Sequence, residues 1–315
     1  MQRRKFLALG SAAALTNILA RRASADPVKR LVFVHGRDQQ GKDPRVLQSE
    51  WLAALQRGAG RELPASIEVS LPYYGDILDK LASAGSVPLT TDIQARGDEH
   101  ADTDFLEFEA AAADEMRQNA GISMDNVNAE YGATAEPRGP ENWKWVQAII
   151  RALDKYGGGL GSRAIEMLMR DVYLYTNRAG VRDQIDRVVG GALTQEPCVV
   201  VAHSLGSVVA YNVLRSDRRA LHVPLLITVG CPLAIRAVRS QLVPLNFPQP
   251  PVQVWNNAFD RRDIVALNPL DTTNFPVNPA ITNLNSVQNH TDNRHGIDGY
   301  LDDPTVARWV MDALS

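Results

Sequence analysis

The chain has 315 residues, of which 45% are hydrophobic and 22% charged. That is enough to bury a substantial core in one large α/β domain, or in one carrying an inserted cap, rather than in two independent domains. Setting aside the first 25 residues removes five of the 33 basic residues and none of the 36 acidic ones, leaving 28 against 36, a net charge of −8. This balance speaks against nucleic acid as a partner, because phosphate binding wants a basic surface.

Those first 25 residues read as an address. Arg3-Arg4-Lys5-Phe6-Leu7 is followed by an apolar segment from Ala8 to Ala20, then by Ala23-Ser24-Ala25 ahead of Asp26. A basic start, an apolar middle and a small-x-small end describe an export signal cleaved after Ala25. The twin arginine followed by Phe-Leu resembles the twin-arginine class of signals, which exports folded proteins. The apolar run is too short to serve as a membrane anchor, and no later segment is long and apolar enough to span a bilayer. The expected location is periplasmic or secreted, with residues 26–315 forming the folded domain.

That domain opens with a buried strand, Lys29-Arg30-Leu31-Val32-Phe33-Val34, which ends in the loop His35-Gly36-Arg37-Asp38-Gln39-Gln40-Gly41. A helix is expected from about Leu47 to Leu55, then a strand from Ile67 to Leu71 and a loop, Pro72-Tyr73-Tyr74-Gly75-Asp76, placed to line a site floor, although its tyrosines also fit plain packing. From 78 to 194 the pattern turns helical. Phe105–Met116, Trp143–Leu153, Ala164–Tyr175 and Val181–Leu193 carry helical spacing, with a polar stretch from Asn119 to Pro140 and a glycine-punctuated break at 156–161. An insertion of this kind is where a lid or cap would sit. Trp143, Trp145, Met167 and Met169 are candidates for an apolar wall facing substrate, although ordinary helix packing accounts for each of them as well.

The stretch that organises the chain is 198–214. Cys198 to Ala202 is an apolar run fit for a buried strand, Ala202-His203-Ser204-Leu205-Gly206 a sharp turn, and Val208 to Leu214 a helix. A serine on such a turn is held clear of the sheet edge in a strained backbone, which requires small residues two before and two after it. Ala202 and Gly206 meet that need. The helix start also turns backbone N–H groups toward any negative charge forming beside Ser204. The plainer reading is a serine capping a helix.

Downstream, Leu225 to Cys231 and Val252 to Trp255 read as further strands. Cys198 opens one strand and Cys231 closes another, so in parallel neighbours they lie too far apart for a disulfide and two free thiols are expected. Asp260 and Asp263 both lie in the loop after the later strand. His290, Asp292 and His295 cluster ahead of a final helix, Val306–Leu314. Their spacing matches no standard metal-ligand set.

Taken in order, strand-His-Gly, the Ala-His-Ser-Leu-Gly elbow, the late Asp-Ile-Val and the terminal histidine ahead of Tyr300-Leu301 resemble the α/β-hydrolase superfamily, on its lipase and carboxylesterase side. The first glycine of the usual G-x-S-x-G is alanine here. The resemblance covers 29–75 and 197–314 and leaves the helical insertion unmatched. It implies a mostly parallel sheet flanked by helices with an inserted helical cap. It also implies a triad of Ser204 as nucleophile, Asp263 (with Asp260 as alternative) as acid and His295 (with His290 in reserve) as base. The oxyanion hole would be made by the backbone amides of Leu205 and Arg37. The implied reaction is hydrolysis of a small-molecule or lipid-like ester through an acyl-enzyme, with no metal or organic cofactor. Amide hydrolysis or acyl transfer on the same triad, or a non-catalytic binding protein of the same fold, are the rival expectations.

Overall fold

A computed structural model describes residues 27–84, 87–89, 102–132, 139 and 142–315. The export signal expected at 1–25, and residues 133–138 and 140 of the polar stretch, lie outside the described residues.

Six parallel strands form one sheet in the order β2-β1-β3-β4-β5-β6, where β1 is Arg30–Val34, β2 Glu68–Ser70, β3 Cys198–His203, β4 Val223–Val229, β5 Val252–Ala258 and β6 Thr282–Leu284. The central strands are apolar almost without interruption because helices cover both faces. Side chains alternate between the two faces. Leu31, Phe33, Val199, Val201, Leu225 and Ile227 pack on one side, with α1 (Pro44–Ala59) and the terminal helix. Val32, Val34, Val200, Ala202 and Leu226 face the other, where the helical stretch expected to form an insertion shares their core.

After α2 (Gly75–Ala84), that stretch comprises α3 (Thr103–Asn119), α4 (Met124–Tyr131), α5 (Trp143–Gly157), α6 (Ser162–Asn177) and α7 (Ala179–Ala192). Beyond β3 come α8 (Leu205–Ser216), α9 (Arg236–Ser240), α10 (Asp298–Leu301) and α11 (Pro304–Ala313). Helix α1 is longer than its apolar spacing predicts. Asp43 accepts a hydrogen bond from the Arg45 amide and Pro44 occupies the first turn, so the helix starts at its cap rather than at its first buried residue.

The chain runs from β1 outward to β2, then returns across β1 to β3 and proceeds in the opposite direction. The reversal falls between β1 and β3, and ligands of open α/β sheets bind outside the carboxyl ends of the strands at such a point. The register pairs Val34 with Ala202. Two residues further along each strand, Gly36 and Ser204 therefore arrive side by side.

Cys198 and Cys231 are both buried and free. Burial pushes their thiols up to about 11 and about 12 respectively, so both stay protonated at neutral pH.

One buried group strains this core. Glu109 on α3 is fully buried, and neither carboxyl oxygen has a hydrogen-bond partner among the described residues. Burial, reinforced by the neighbouring Glu166 of α6, raises its pKa well above the ordinary 4.5. Such a carboxyl takes up a proton on folding, so this group's contribution to stability is fully present at low pH and is lost progressively as pH climbs above about 4.5. Replacing Glu109 with Gln is expected to raise the urea midpoint more at pH 8 than at pH 5, flattening the profile.

Candidate active site

Ser204 sits between β3 and α8 with φ 53° and ψ −129°, a left-handed conformation that a side-chain-bearing residue holds at a cost of about 1–3 kcal/mol. The surroundings impose it. The Ser204 amide donates to the Val229 carbonyl at 3.1 Å, extending the sheet ladder one residue past β3. Immediately afterwards the chain must turn into α8, whose first turn lies against the end of β1. A Cβ on Gly206 would strike the carbonyl oxygens of Val34 and His35 and lie 2.8 Å from the His35 carbonyl carbon. Glycine is the residue that fits there.

The histidine loop closes onto this turn. His295 places Nε2 2.8 Å from Ser204 Oγ and Nδ1 2.7 Å from Asp263 Oδ2. Asp263 lies in the loop after β5, fully buried, and also accepts from the Val265 amide at 3.0 Å and the Tyr300 hydroxyl at 2.6 Å. Because a carboxylate only accepts, Nδ1 of His295 carries the proton and Nε2 is left to accept from the serine hydroxyl. Of the two candidate acids, Asp263 is therefore the one in line. Asp260 is turned toward its own loops, accepting from the amides of Arg262 and Asn289 at 2.8 Å each. His290 is likewise elsewhere, its ring 2.7 Å from Asp302 on the exposed surface. His290 and His295 thus have separate partners, and no group of three His, Cys, Asp or Glu side chains that could hold a metal occurs among the described residues.

The two candidate amides flank the serine. Leu205 is the first residue of α8, where backbone N–H groups lack intrahelical acceptors. Arg37 follows Gly36, and a Cβ added to Gly36 would lie 2.9 Å from Ser204 Cβ and 3.5 Å from Oγ. His35 does not reach the serine. Its Nδ1 donates to the Gly36 carbonyl at 2.7 Å, and Nε2 accepts from the Tyr74 amide at 3.0 Å. Burial lowers its pKa to about 4, so it is neutral. Its ring stacks on Tyr74, whose hydroxyl donates to the His35 carbonyl. Tyr73 donates to the Gln39 carbonyl at 2.6 Å. Neither tyrosine lines the space above Ser204; both hold the loop that does.

That space is a cavity of about 430 Å3. Leu47 and Trp51 of α1 form one apolar side, and Leu160, Ala164 and Leu168 of the α5–α6 region the other. The wall is thus made of residues other than those expected. Trp143, Trp145 and Met169 are buried in the helical core, where Trp145 packs edge-on to Tyr131. Met167 lines a separate, smaller cavity. Helical periodicity marked all of them as apolar, but which side of α6 meets the serine depends on how α6 lies against the sheet.

Comparison with protein-family models, with curated proteins and with solved structures returned no match to this chain. The site therefore rests on its own geometry.

Two residues in it carry roles that the sequence reading did not assign. His203, next to the serine, donates from Nε2 to the His295 carbonyl at 2.8 Å and meets the His295 ring at 4.9 Å between centroids. Burial holds its pKa well below the ordinary 6.5, so it acts as a neutral tether of the histidine loop. Strand alternation was the available signal, since it puts His203 on the face of Val199 and Val201, toward α1 and α10. Tyr300 of α10 is the second. It is fully buried, receives the Asp260 amide at 3.3 Å and donates to the same Asp263 oxygen that faces His295. Tyr300→Phe leaves that carboxylate short of one donor and is expected to cost about 1–3 kcal/mol of stability, measurable by thermal unfolding.

Proposed function

We propose that this chain is a serine hydrolase of the α/β-hydrolase type, lipase- or carboxylesterase-like, acting on carboxylic esters. The observation that carries the reading is the unbroken line from Ser204 Oγ through the His295 ring to Asp263, built on a serine held at positive φ. A helix-capping serine needs none of this. As the cap residue of α8, Ser204 makes no side-chain capping bond.

In the proposed reaction His295 Nε2 takes the Ser204 proton as Oγ attacks the ester carbonyl carbon. The carbonyl oxygen, now negative, is held by the amides of Leu205 and Arg37. Collapse of the tetrahedral intermediate breaks the bond to the alcohol oxygen, which leaves with the proton carried by His295. Water then repeats the attack on the acyl-enzyme, giving up a proton to His295, and release of the carboxylic acid restores the serine. Asp263 holds the imidazole in the required tautomer and stabilises its cation. The apolar sides of the cavity favour an acyl group or alcohol with hydrocarbon character, while Lys42, Glu50 and Asp298 around it favour a substrate with a polar end. The helical stretch would serve as the cap, and the basic, apolar N-terminal segment supports export to the periplasm or beyond.

A series of p-nitrophenyl esters of increasing chain length tests the reading. Turnover of the acetate to octanoate esters, falling for long chains that a cavity of about 430 Å3 cannot enclose, is the expected pattern. No turnover of any ester alongside turnover of the matching anilides would move the assignment to amide hydrolysis.

A further inference from the structure

We propose that Asp171 is a positioning residue for the oxyanion hole, acting through the side chain of Arg37. The inference rests on the serine-hydrolase reading and extends it to a residue of α6, within the stretch that the family resemblance leaves unmatched.

Arg37 supplies the reacting site with its backbone N–H, so what matters is how firmly its peptide is held. The peptide plane is fixed at one end, because the Gly36 carbonyl accepts from His35 Nδ1 at 2.7 Å. The Arg37 carbonyl is fixed at the next, accepting from the Gln39 side chain at 2.9 Å. The third tie is the side chain. Arg37 Nε donates to Asp171 Oδ2 at 3.2 Å, with the two side chains only 11% and 6% exposed. Arg170 approaches the other Asp171 oxygen at 3.4 Å. Burial alone pushes the Asp171 carboxyl up, and the two guanidinium groups pull it back toward the charged form.

A buried ion pair of this kind gains little stability over apolar residues of the same volume, since desolvating both charges offsets their attraction. Its distinctive contribution is direction. An oxyanion donor has to stay within about 0.5 Å of its productive position, and Arg37 lies in a loop between strand and helix, outside any regular backbone ladder, so its buried side-chain tie to α6 adds to the few bonds that hold its peptide. Leu168, one turn before Asp171 on α6, lines the cavity above Ser204. The helix that walls the substrate space therefore also sets the donor, so that wall and oxyanion hole keep register.

The test uses Asp171→Asn together with the apolar pair Arg37→Met/Asp171→Leu, which removes the tie without leaving an unpaired buried charge and retains the Arg37 position's N–H. Active chains are counted with a fluorophosphonate probe, and kcat per labelled chain and KM are measured on a p-nitrophenyl ester. A shift of the donor by a fraction of an ångström is expected to lower kcat per labelled chain by about 10- to 100-fold, with KM changing less than about threefold. A fall in the labelled fraction with kcat per labelled chain unchanged would mean that Asp171 only supports folding, and would overturn the proposal. A rise in KM alone would overturn it too, assigning the pair to substrate binding. If the wild type itself fails to take up the probe or turn over any ester, the hydrolase reading falls first and this inference with it, an outcome distinct from the other two.

Discussion

Ser204→Ala is expected to lower ester hydrolysis by roughly five to six orders of magnitude while leaving the fold intact. Only the hydroxyl is lost, and the position's positive φ, set by the Val229 ladder bond and the turn into α8, is no worse for alanine than for serine. His295→Ala is expected to lose nearly as much. Groups that act as a unit in nucleophilic catalysis show non-additive losses, so the double variant should sit close to Ser204→Ala rather than at the product of the two effects. Residual turnover would come from the amides of Leu205 and Arg37, which neither substitution touches. Steady-state rates on the best p-nitrophenyl ester, with active fractions normalised by circular dichroism and concentration, check this. A double variant slower than the singles by the product of their effects would mean that serine and histidine do not work as one device.

Gly206→Ala is expected to prevent folding or to cost upwards of about 3 kcal/mol. The added methyl meets the backbone at the end of β1, the carbonyl oxygens of Val34 and His35 and the His35 carbonyl carbon at 2.8 Å, and none of these atoms ends a flexible side chain that swings away. Relief requires α8 to move off β1, which opens the β1–β3 switch point and separates Gly36 from Ser204. Overpacking of a well-filled core commonly costs about 1–3 kcal/mol; a clash with strand backbone belongs above that range. The check is soluble yield and thermal midpoint beside the wild type. A variant that is soluble and unfolds within a few degrees of the wild type would show that the turn does not depend on this close approach.

Much of this arrangement is legible in the residues. The apolar runs at 31–34, 198–202 and 225–229 mark strands buried on both faces, and the parallel sheet follows from them. Ser204 with Gly206 marks the turn because its steric demand is local, confined to a few consecutive residues. Choosing Asp263 over Asp260, and His295 over His290, required long-range information, since each pair shares a loop and differs only in which way its side chains turn. The resemblance of Asp263-Ile264-Val265 to a lipase acid segment points to Asp263, whose carboxylate lies 2.7 Å from His295 Nδ1. What the sequence hid lies in contacts between distant segments. Asp171 reaches Arg37 across 134 positions, and Tyr300 reaches Asp263 across 37. Nothing in the spacing of α6 distinguishes Leu168, which faces the cavity, from Met169, which faces the core.

Covalent labelling of the wild-type protein with a fluorophosphonate reports on the serine and its base together. One adduct per chain is expected on Ser204, located by peptide mass spectrometry, lost in Ser204→Ala and in His295→Ala, and retained in His290→Ala. An adduct on another residue, or labelling that survives His295→Ala but disappears in His290→Ala, would contradict the assignment of the serine and its base.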